Sequence, residues 1–216
     1  MDLSLIETLR WEPGIGFVRL ERHLARLTDS AAALGLPGAE KAEASLAAAC
    51  AGSETPLRVR LELFAEGRID IQTAAFAPLA PDATWRLAIA ETRLASTDLL
   101  LRHKTSRRAL YAAARAEFPA SEADEVILLN ERGELCEGTI TSLFLDDGSG
   151  ILKPPPLAAG LLAGVLRAEL LENGKAVEAV LQPEDLSKGR IFVGNSLRGL
   201  ISAGLSQGKM PGINAG

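Results

Sequence analysis

The chain has 216 residues, of which 47% are hydrophobic, enough to bury the core of one large domain or two small ones. Its formal net charge is −5 and no run of Lys or Arg stands out, so neither nucleic acid nor an anionic membrane surface is expected as a partner. The two cysteines and two histidines are scattered along the chain, which argues against a metal site built from Cys and His.

The N-terminal part predicts strands, helices and a β-hairpin. Apolar residues at spacings of three and four predict a helix over Leu20–Leu34, which Gly35 and Pro37 would end. Strict alternation over Leu57–Phe64 predicts a strand that pairs with Arg68–Thr73 across a glycine turn. The other elements predicted here are strands at Leu5–Arg10 and Phe17–Leu20 and a helix at about Lys41–Ala51.

A segment with two prolines and no periodicity, Phe76–Thr84, is interpreted as a linker between two domains. We therefore predict an α+β protein with an N-terminal domain of residues 1–78 and a C-terminal domain of residues 84–216. A glycine-rich tail from Gln207 is expected to be loose. The elements predicted for the second domain are a strand at Trp85–Glu91, a helix at Ser106–Phe118, a hairpin at Glu125–Leu145, a helix at Val165–Glu172, strands at Val177–Leu181 and Ile191–Gly194 separated by a helical turn at Pro183–Leu186, and a last helix at Leu197–Ala203.

The predicted hairpin carries a carboxylate among apolar residues. Glu137 lies in its second strand, between Cys136 and Gly138. A buried carboxylate is costly unless a cation or a hydrogen-bond donor meets it, and the small residues that follow leave room for a ligand ring. The pattern alone is equally consistent with an edge strand in which Glu137 points to water.

Lys104 follows an apolar run and precedes a predicted helix whose cap would be Thr105 or Ser106. A lysine in a partly dry site near positive groups has a lowered pKa and can act as a nucleophile. By position alone, an ordinary surface lysine is the simpler interpretation. Arg22 and Arg26, one turn apart on the first predicted helix, likewise fit a solvated face.

Two glycine-containing segments could hold a phosphate. Gly160–Val165 and Gly194-Asn195-Ser196 each place backbone N–H groups at the start of a predicted helix, where the dipole favours an anion. Each signal is weak by itself, because glycine before a helix is common. Neither segment matches the GxxxxGK[ST] pattern, GNSLRG lacks the spacing of a nucleophile elbow, and no strong Ser–His–Asp arrangement is evident.

The sequence predicts neither export nor membrane insertion. The start lacks the charged-then-apolar pattern of a signal peptide, and no apolar run approaches the roughly 20 residues of a membrane helix. Two cysteines make no disulfide framework, so a cytoplasmic location is expected.

Together these residues resemble the fold-type IV family of pyridoxal-phosphate enzymes, which contains branched-chain aminotransferases, D-amino-acid aminotransferases and 4-amino-4-deoxychorismate lyases. The matching pieces are short, but they follow the family's order along nearly the whole chain. They are Glu7-Thr8-Leu9-Arg10, Arg22-His23-Leu24-Ala25-Arg26-Leu27, His103-Lys104-Thr105, Glu137-Gly138-Thr139 ahead of Leu143-Phe144, Gly164-Val165-Leu166-Arg167, and Gly194-Asn195-Ser196. Ser142 departs from the pattern, since the family commonly has Asn there.

The resemblance implies a fold like that of D-amino-acid aminotransferase, with pyridoxal 5′-phosphate between the two domains. Lys104 would form a Schiff base with the cofactor and later move protons on the substrate carbon. Glu137 would face the pyridine nitrogen and keep it protonated. The phosphate would be bound by Arg26, the backbone N–H groups of Val165 and Leu166, and the polar ends of Asn195 and Ser196.

The resemblance implies an enzyme with a small amino-acid-like substrate, and a homodimer. The first of three candidate functions is a lyase of folate biosynthesis that releases pyruvate from 4-amino-4-deoxychorismate to form 4-aminobenzoate, the branch that the GNSLRG segment and the compact length resemble most. The second is a class IV aminotransferase acting on branched-chain or D-amino acids with 2-oxoglutarate. The third is a non-enzymatic protein that binds the cofactor or another phosphate compound, which the retention of Lys104 and Glu137 opposes. Arg198 is the candidate contact for a substrate carboxylate.

Overall fold

The structure is a computed structural model, and it describes residues 3–206, so the predicted loose tail from Gln207 lies outside the described residues. The described chain divides into two compact units. The first contains the residues up to Leu79 together with two later segments, His103–Arg107 and Ser196–Arg198. The second contains the remainder, beginning at Ala80. The predicted single boundary at residues 76–84 omits the two later segments, because a linear pattern does not reveal which distant residues return to an earlier unit.

The first unit is built on an antiparallel sheet of four strands in the order β2-β1-β3-β4. Leu9 on β1, Leu27 on the first helix and Leu61 on β3 form part of its buried core. The strands are β1 Leu5–Glu12, β2 Gly16–Phe17, β3 Leu57–Leu63 and β4 Ile69–Ala75, and the helices are α1 Leu20–Leu34 and α2 Ala42–Cys50.

The first helix, Leu20–Leu34, has the bounds predicted from its apolar spacing and from the glycine that follows it. Its apolar stripe packs on the sheet, with Leu27 and Ala31 buried. Gly35 ends it in the left-handed region, with φ 71°, and its N–H donates to carbonyl groups of the last turn. Arg19, just before the helix, also takes a left-handed conformation, with φ 61°, which costs a non-glycine residue about 1 kcal/mol.

The second unit contains a closed barrel of six strands in the order β10-β5-β6-β7-β8-β9. β5 is parallel to both β6 and β10, and the other neighbouring pairs are antiparallel. Apolar side chains of Ile127, Leu143 and Val193 belong to one of its buried clusters. The strands are β5 Thr84–Leu94, β6 Glu125–Asn130, β7 Leu135–Gly138, β8 Ser142–Asp146, β9 Arg190–Asn195 and β10 Gly199–Leu205, and the helices are α3 Ala109–Ala116 and α4 Val165–Glu172.

The predicted last helix, Leu197–Ala203, is wrong. Residues 199–205 form strand β10, which pairs antiparallel with β9 after a tight turn at residues 196–198. Gly199, the first residue of β10, has φ 76°. Burial alternates along its start, since Leu200 is exposed, Ile201 buried and Ser202 exposed. Alternation with a period of two is the pattern of a strand. The segment Leu197–Ala203 is too short for its sequence to distinguish this period from that of a helix.

Two other predicted strands also differ from the structure. Residues 177–181 form no strand, and Val177 and Val180 are exposed. The second strand of the predicted hairpin is divided into β7 and β8 by a turn at Thr139–Thr141. None of the helices among residues 3–206 has the length and apolar composition needed to cross a membrane.

The third helix is shorter than the predicted Ser106–Phe118. It begins at Ala109, because Ser106 instead donates its backbone N–H to the carbonyl oxygen of Ser4 at 2.9 Å. The helix α3 buries Tyr111 and Ala114, whereas Leu110 is exposed.

Candidate active site

Glu137 lies in the second unit, on β7, and is 4% exposed. Its Oε1 accepts hydrogen bonds from the Tyr111 hydroxyl at 2.6 Å and from the backbone N–H of Leu162 at 3.1 Å. The interpretation in which Glu137 points to water from an edge strand is therefore wrong. These two hydrogen bonds hold the carboxyl group in a fixed position.

Tyr111, on α3, is a site residue that the sequence analysis missed. Burial, followed by the negative charge of Glu137, raises the pKa of the Tyr111 phenol well above its ordinary value. The phenol therefore keeps its proton and donates a hydrogen bond to Glu137. The guanidinium of Arg108 lies 4.7 Å from the centre of the Tyr111 ring, within the range of a cation–π contact. A usable signal was that Tyr111 is the chain's single tyrosine, within a predicted helix rich in alanine.

Glu125 is a second buried carboxylate that the sequence analysis did not single out. It begins β6 and is 1% exposed. It accepts hydrogen bonds from the N–H and hydroxyl of Thr139, at 3.0 and 2.5 Å, from the N–H of Ile140 at 3.1 Å and from the hydroxyl of Thr141 at 2.8 Å. A Cβ at Gly138 would lie 2.7 Å from Glu125 Oε2, so only glycine fits there. Glu125 thus fixes the turn that follows Glu137.

We expect Glu125→Ala to lower the free energy of unfolding by about 3 kcal/mol, because it leaves several buried donors without an acceptor. Urea unfolding followed by far-ultraviolet circular dichroism measures the effect. Glu122→Ala, which removes an exposed carboxylate three residues earlier, should change the stability by less than about 0.5 kcal/mol. Equal unfolding midpoints for the two variants would show that Glu125 does not hold the turn.

The start of α4 supplies backbone N–H groups in the second unit. Gly164 precedes the helix, and the N–H groups of Val165 and Leu166 lie in its first turn, where the helix itself offers no acceptor. A Cβ at Gly164 would lie 2.6 Å from Ser142 Oγ, and one at Gly194 would lie 2.8 Å from Leu166 Cδ2. Glycine at both positions lets β8 and the end of β9 approach the helix start closely. The anion site predicted for Gly160–Val165 stays a prediction.

The second predicted anion cradle does not exist as predicted, because no helix follows Gly194-Asn195-Ser196. Asn195 ends β9, and its side-chain N–H donates to the carbonyl oxygen of Ile140 at 3.2 Å. Arg198 lies in the turn before β10, with its guanidinium 5.8 Å from the centre of the Phe76 ring, and not at a helix start. Its predicted contact with a substrate carboxylate stays a prediction.

In the first unit, Arg26 and Glu7 form a buried ion pair. Arg26 Nε and Nη2 donate to the two oxygens of Glu7, at 2.8 and 2.6 Å. Only 13% of the Arg26 side chain is exposed, so the solvated-face interpretation is wrong for this residue. Burial alone would raise the pKa of Glu7, but the charge of Arg26 and hydrogen bonds from His23 and Arg26 outweigh it and lower the pKa to about 2.

The Glu7 carboxylate also contacts His23, which in turn contacts Ser196. His23 Nδ1 lies 2.6 Å from Glu7 Oε2, and His23 Nε2 lies 2.7 Å from Ser196 Oγ. All three side chains are buried. No strong arrangement of serine, histidine and acid is evident in the sequence, yet the first unit assembles one from β1, α1 and a turn 173 residues beyond His23. Sequence spacing gives no signal for such a contact.

Lys104 also lies in the first unit, where it is half-buried. Its carbonyl oxygen accepts a hydrogen bond from the N–H of Ile6 at 2.7 Å, so this segment runs along the edge of β1. No helix begins at Thr105 or Ser106, and the predicted cap is wrong. The backbone of Lys104 is thus positioned by a strand and not by a helix start.

These residues fit pyridoxal 5′-phosphate in chemistry. The second unit offers a buried carboxylate suited to a protonated ring nitrogen, and a helix start suited to a phosphate. The first unit offers a primary amine at Lys104, a guanidinium at Arg26 and a hydroxyl at Ser196, groups of the kinds that bind a phosphate or an aldehyde.

The sequence model of the class IV aminotransferase family matches residues 4–204, and the chain belongs to this family. It is therefore an enzyme of the class that comprises pyridoxal-phosphate-dependent aminotransferases and lyases, as predicted. The predicted α+β architecture of fold type IV is also confirmed.

Some similar proteins are named as lyases and others as aminotransferases. A Schizosaccharomyces pombe protein named "Putative aminodeoxychorismate lyase" is 34% identical over 190 residues, which cover 83% of this chain and 80% of that protein. A crystal structure of a "Putative amino-acid aminotransferase" from Mesorhizobium loti matches with a TM-score of 0.92 and 52% identity, covering 94% of this chain and 100% of that one. The 4-amino-4-deoxychorismate lyase of Pseudomonas aeruginosa matches with a TM-score of 0.76 and 26% identity, covering 94% and 82%.

Proposed function

We propose that the protein is a 4-amino-4-deoxychorismate lyase, which releases pyruvate to form 4-aminobenzoate with pyridoxal 5′-phosphate as its cofactor. The observation that carries this choice is the lyase name of the Schizosaccharomyces pombe relative, whose match extends over 83% of this chain. The lyase from Pseudomonas aeruginosa, similar over 94% of the chain, supports the same choice.

An aminotransferase is the second candidate. It is favoured by the 52% identity with the Mesorhizobium loti protein, whose name is that of an amino-acid aminotransferase. Lys104 and Glu137 serve both reactions and do not distinguish them. A non-enzymatic role is not retained, because the family is one of enzymes.

When bound, the cofactor supplies an aldehyde that reacts with amines and a protonated ring that takes up negative charge from a substrate carbon. Glu137 would bind the ring nitrogen, and its position is fixed by Tyr111 and the N–H of Leu162. The phosphate would be bound by Arg26, Ser196, Asn195 and the N–H groups of Val165 and Leu166.

Lys104 would move the proton of the reaction. Conversion of 4-amino-4-deoxychorismate to 4-aminobenzoate removes the hydrogen on the amine-bearing carbon and breaks the ether bond to the three-carbon group, which leaves as pyruvate. A neutral amine is the group that takes up such a proton, and Lys104 is the one lysine among the family-like pieces of this sequence.

The deciding experiment supplies two sets of substrates to the purified, cofactor-loaded protein. With 4-amino-4-deoxychorismate alone, we expect 4-aminobenzoate and pyruvate in equal amounts, measured by chromatography and by a coupled lactate dehydrogenase assay. With branched-chain or D-amino acids and 2-oxoglutarate, we expect no more glutamate than a Lys104→Ala preparation forms. Glutamate without 4-aminobenzoate would replace the lyase by the aminotransferase.

We also propose that the protein acts as a cytoplasmic homodimer on a small amino-acid-like substrate. The family resemblance and the absence of a disulfide framework among two cysteines support this proposal. Light scattering coupled to size exclusion should give twice the chain mass of 22.8 kDa. A fully active species of the single-chain mass would contradict the dimer.

A further inference from the structure

The hydrogen bonds around His23 determine which ring nitrogen carries a hydrogen. The Glu7 carboxylate is ionised above its pKa of about 2 and can only accept hydrogen bonds. Because Glu7 Oε2 lies 2.6 Å from His23 Nδ1, the neutral imidazole must carry its hydrogen on Nδ1. Nε2 is then an acceptor, and the Ser196 hydroxyl, 2.7 Å away, must donate to it.

In this arrangement the hydroxyl hydrogen of Ser196 is used in the hydrogen bond to His23 Nε2. While His23 is neutral, the hydroxyl oxygen offers only lone pairs to a third group. A phosphate oxygen is itself an acceptor, so the two oxygens would repel each other. A second proton on His23 reverses the bond: Nε2–H donates to Ser196 Oγ, and the hydroxyl hydrogen becomes available to the phosphate.

Charged groups surround His23 on the elements that pack against it. Glu7 lies on β1. Arg26, one turn after His23 on α1, donates to both carboxylate oxygens of Glu7. Arg19, just before α1, donates to the carbonyl oxygen of Ser196 at 3.2 Å. One anion and two cations are thus in place, and a bound phosphate adds negative charge that favours a second proton on His23.

We propose that His23 couples the binding of the cofactor's phosphate group to the uptake of one proton, by turning the Ser196 hydroxyl from His23 toward the phosphate. The proton passes from solvent to His23 Nε2, and no covalent bond changes. The inference rests on the proposed function in one respect, namely that Ser196 contacts a ligand phosphate. His23 acts through Ser196 and is therefore a positioning residue.

The chain's two histidines make the test direct, because a ¹⁵N-histidine-labelled protein has only four ring-nitrogen signals. Cofactor-free protein is titrated with acid and base, without and with saturating pyridoxine 5′-phosphate, which has the ring and the phosphate but no aldehyde. We expect His23 to carry its neutral hydrogen on Nδ1, and its protonation midpoint to rise by about one pH unit or more with the probe, equivalent to a tenfold coupling. An unchanged or lowered midpoint would overturn the proposal.

Two variants separate the hydroxyl switch from a general effect of phosphate charge. His103→Gln assigns the signals and should keep the full rise, since His103 Nδ1 contacts Ser30 at 2.9 Å and not Ser196. Ser196→Ala removes the hydroxyl, although the probe should still bind through other donors. The rise in the His23 protonation midpoint should then be less than half of the wild-type rise. An equal rise in wild-type and Ser196→Ala protein would rule out the switch.

The outcomes distinguish this inference from the proposed function. A normal rise in a protein that forms no 4-aminobenzoate would reject the lyase and keep the proton coupling. Formation of 4-aminobenzoate by a protein whose His23 titrates identically with and without the probe would do the reverse. Failure of the probe to bind would remove the phosphate site, and the coupling with it.

Discussion

Lys104→Ala is expected to lose nearly all turnover, at least about a thousandfold, because in the proposed function Lys104 would supply both the amine that binds the cofactor covalently and the group that moves the substrate proton. Borohydride treatment of the wild-type protein should fix the cofactor to Lys104 and abolish its visible absorption band. The variant should show no fixed cofactor after the same treatment, although it would keep the groups proposed to bind the phosphate.

Lys188→Ala is the matched control for this experiment. Lys188 is mostly exposed and pairs with Asp185, so its loss should leave both the covalent linkage and the turnover unchanged. Peptide mapping after borohydride identifies the labelled lysine. Label on Lys153, Lys175 or Lys188 in the wild-type protein would show that the site is assigned to the wrong residue.

Glu137→Gln is expected to reduce kcat by about 100- to 1,000-fold with a smaller change in KM. The amide keeps the shape of the side chain and an oxygen that can accept from Tyr111 and the N–H of Leu162, so the fold should be retained. What it loses is the negative charge that would hold the ring nitrogen in its protonated form. The effect should therefore appear in the chemical step, measured by single-turnover kinetics.

Tyr111→Phe serves as the comparison for Glu137→Gln. It keeps the carboxylate and removes one of the two donors recorded at its Oε1. We expect a loss in kcat of about tenfold, since one hydrogen bond to a charged group contributes about 1.5–3 kcal/mol and only part of it is specific to the chemical step. If Glu137→Gln retained more activity than Tyr111→Phe, charge at Glu137 would not be the feature that matters.

The regular elements were predictable because their periodicity is local. The bounds of α1 and α4 follow from apolar spacing and from glycine or asparagine at their ends, and the β3–β4 hairpin follows from strict alternation. The helix predicted at Leu197–Ala203 is wrong because this segment is short, so the formation of strand β10 depends on pairing with β9. Such pairing is a tertiary effect that overrides local propensity.

The candidate site residues also differ in whether a short stretch of sequence or a long-range contact indicates them. Lys104, Glu137 and Arg26 could be proposed from the sequence because they lie in short pieces with a known order. Tyr111 and Glu125 were missed because their importance comes from contacts with residues 26 and 14 to 16 positions away. No spacing rule in the sequence predicts those contacts.

The placement of Ser196–Arg198 in the first unit has a consequence for how the chain is made. On the ribosome, residues up to Leu79 emerge long before Ser196, and until then the buried Nε2 of His23 lacks the hydroxyl that it meets in the finished protein. A buried ring nitrogen without its partner costs about 1–3 kcal/mol, comparable to a large part of the stability of a small unit. The N-terminal unit therefore reaches its full stability only after synthesis of more than nine-tenths of the 216 residues, and truncated chains ending before Ser196 should be substrates for proteolysis.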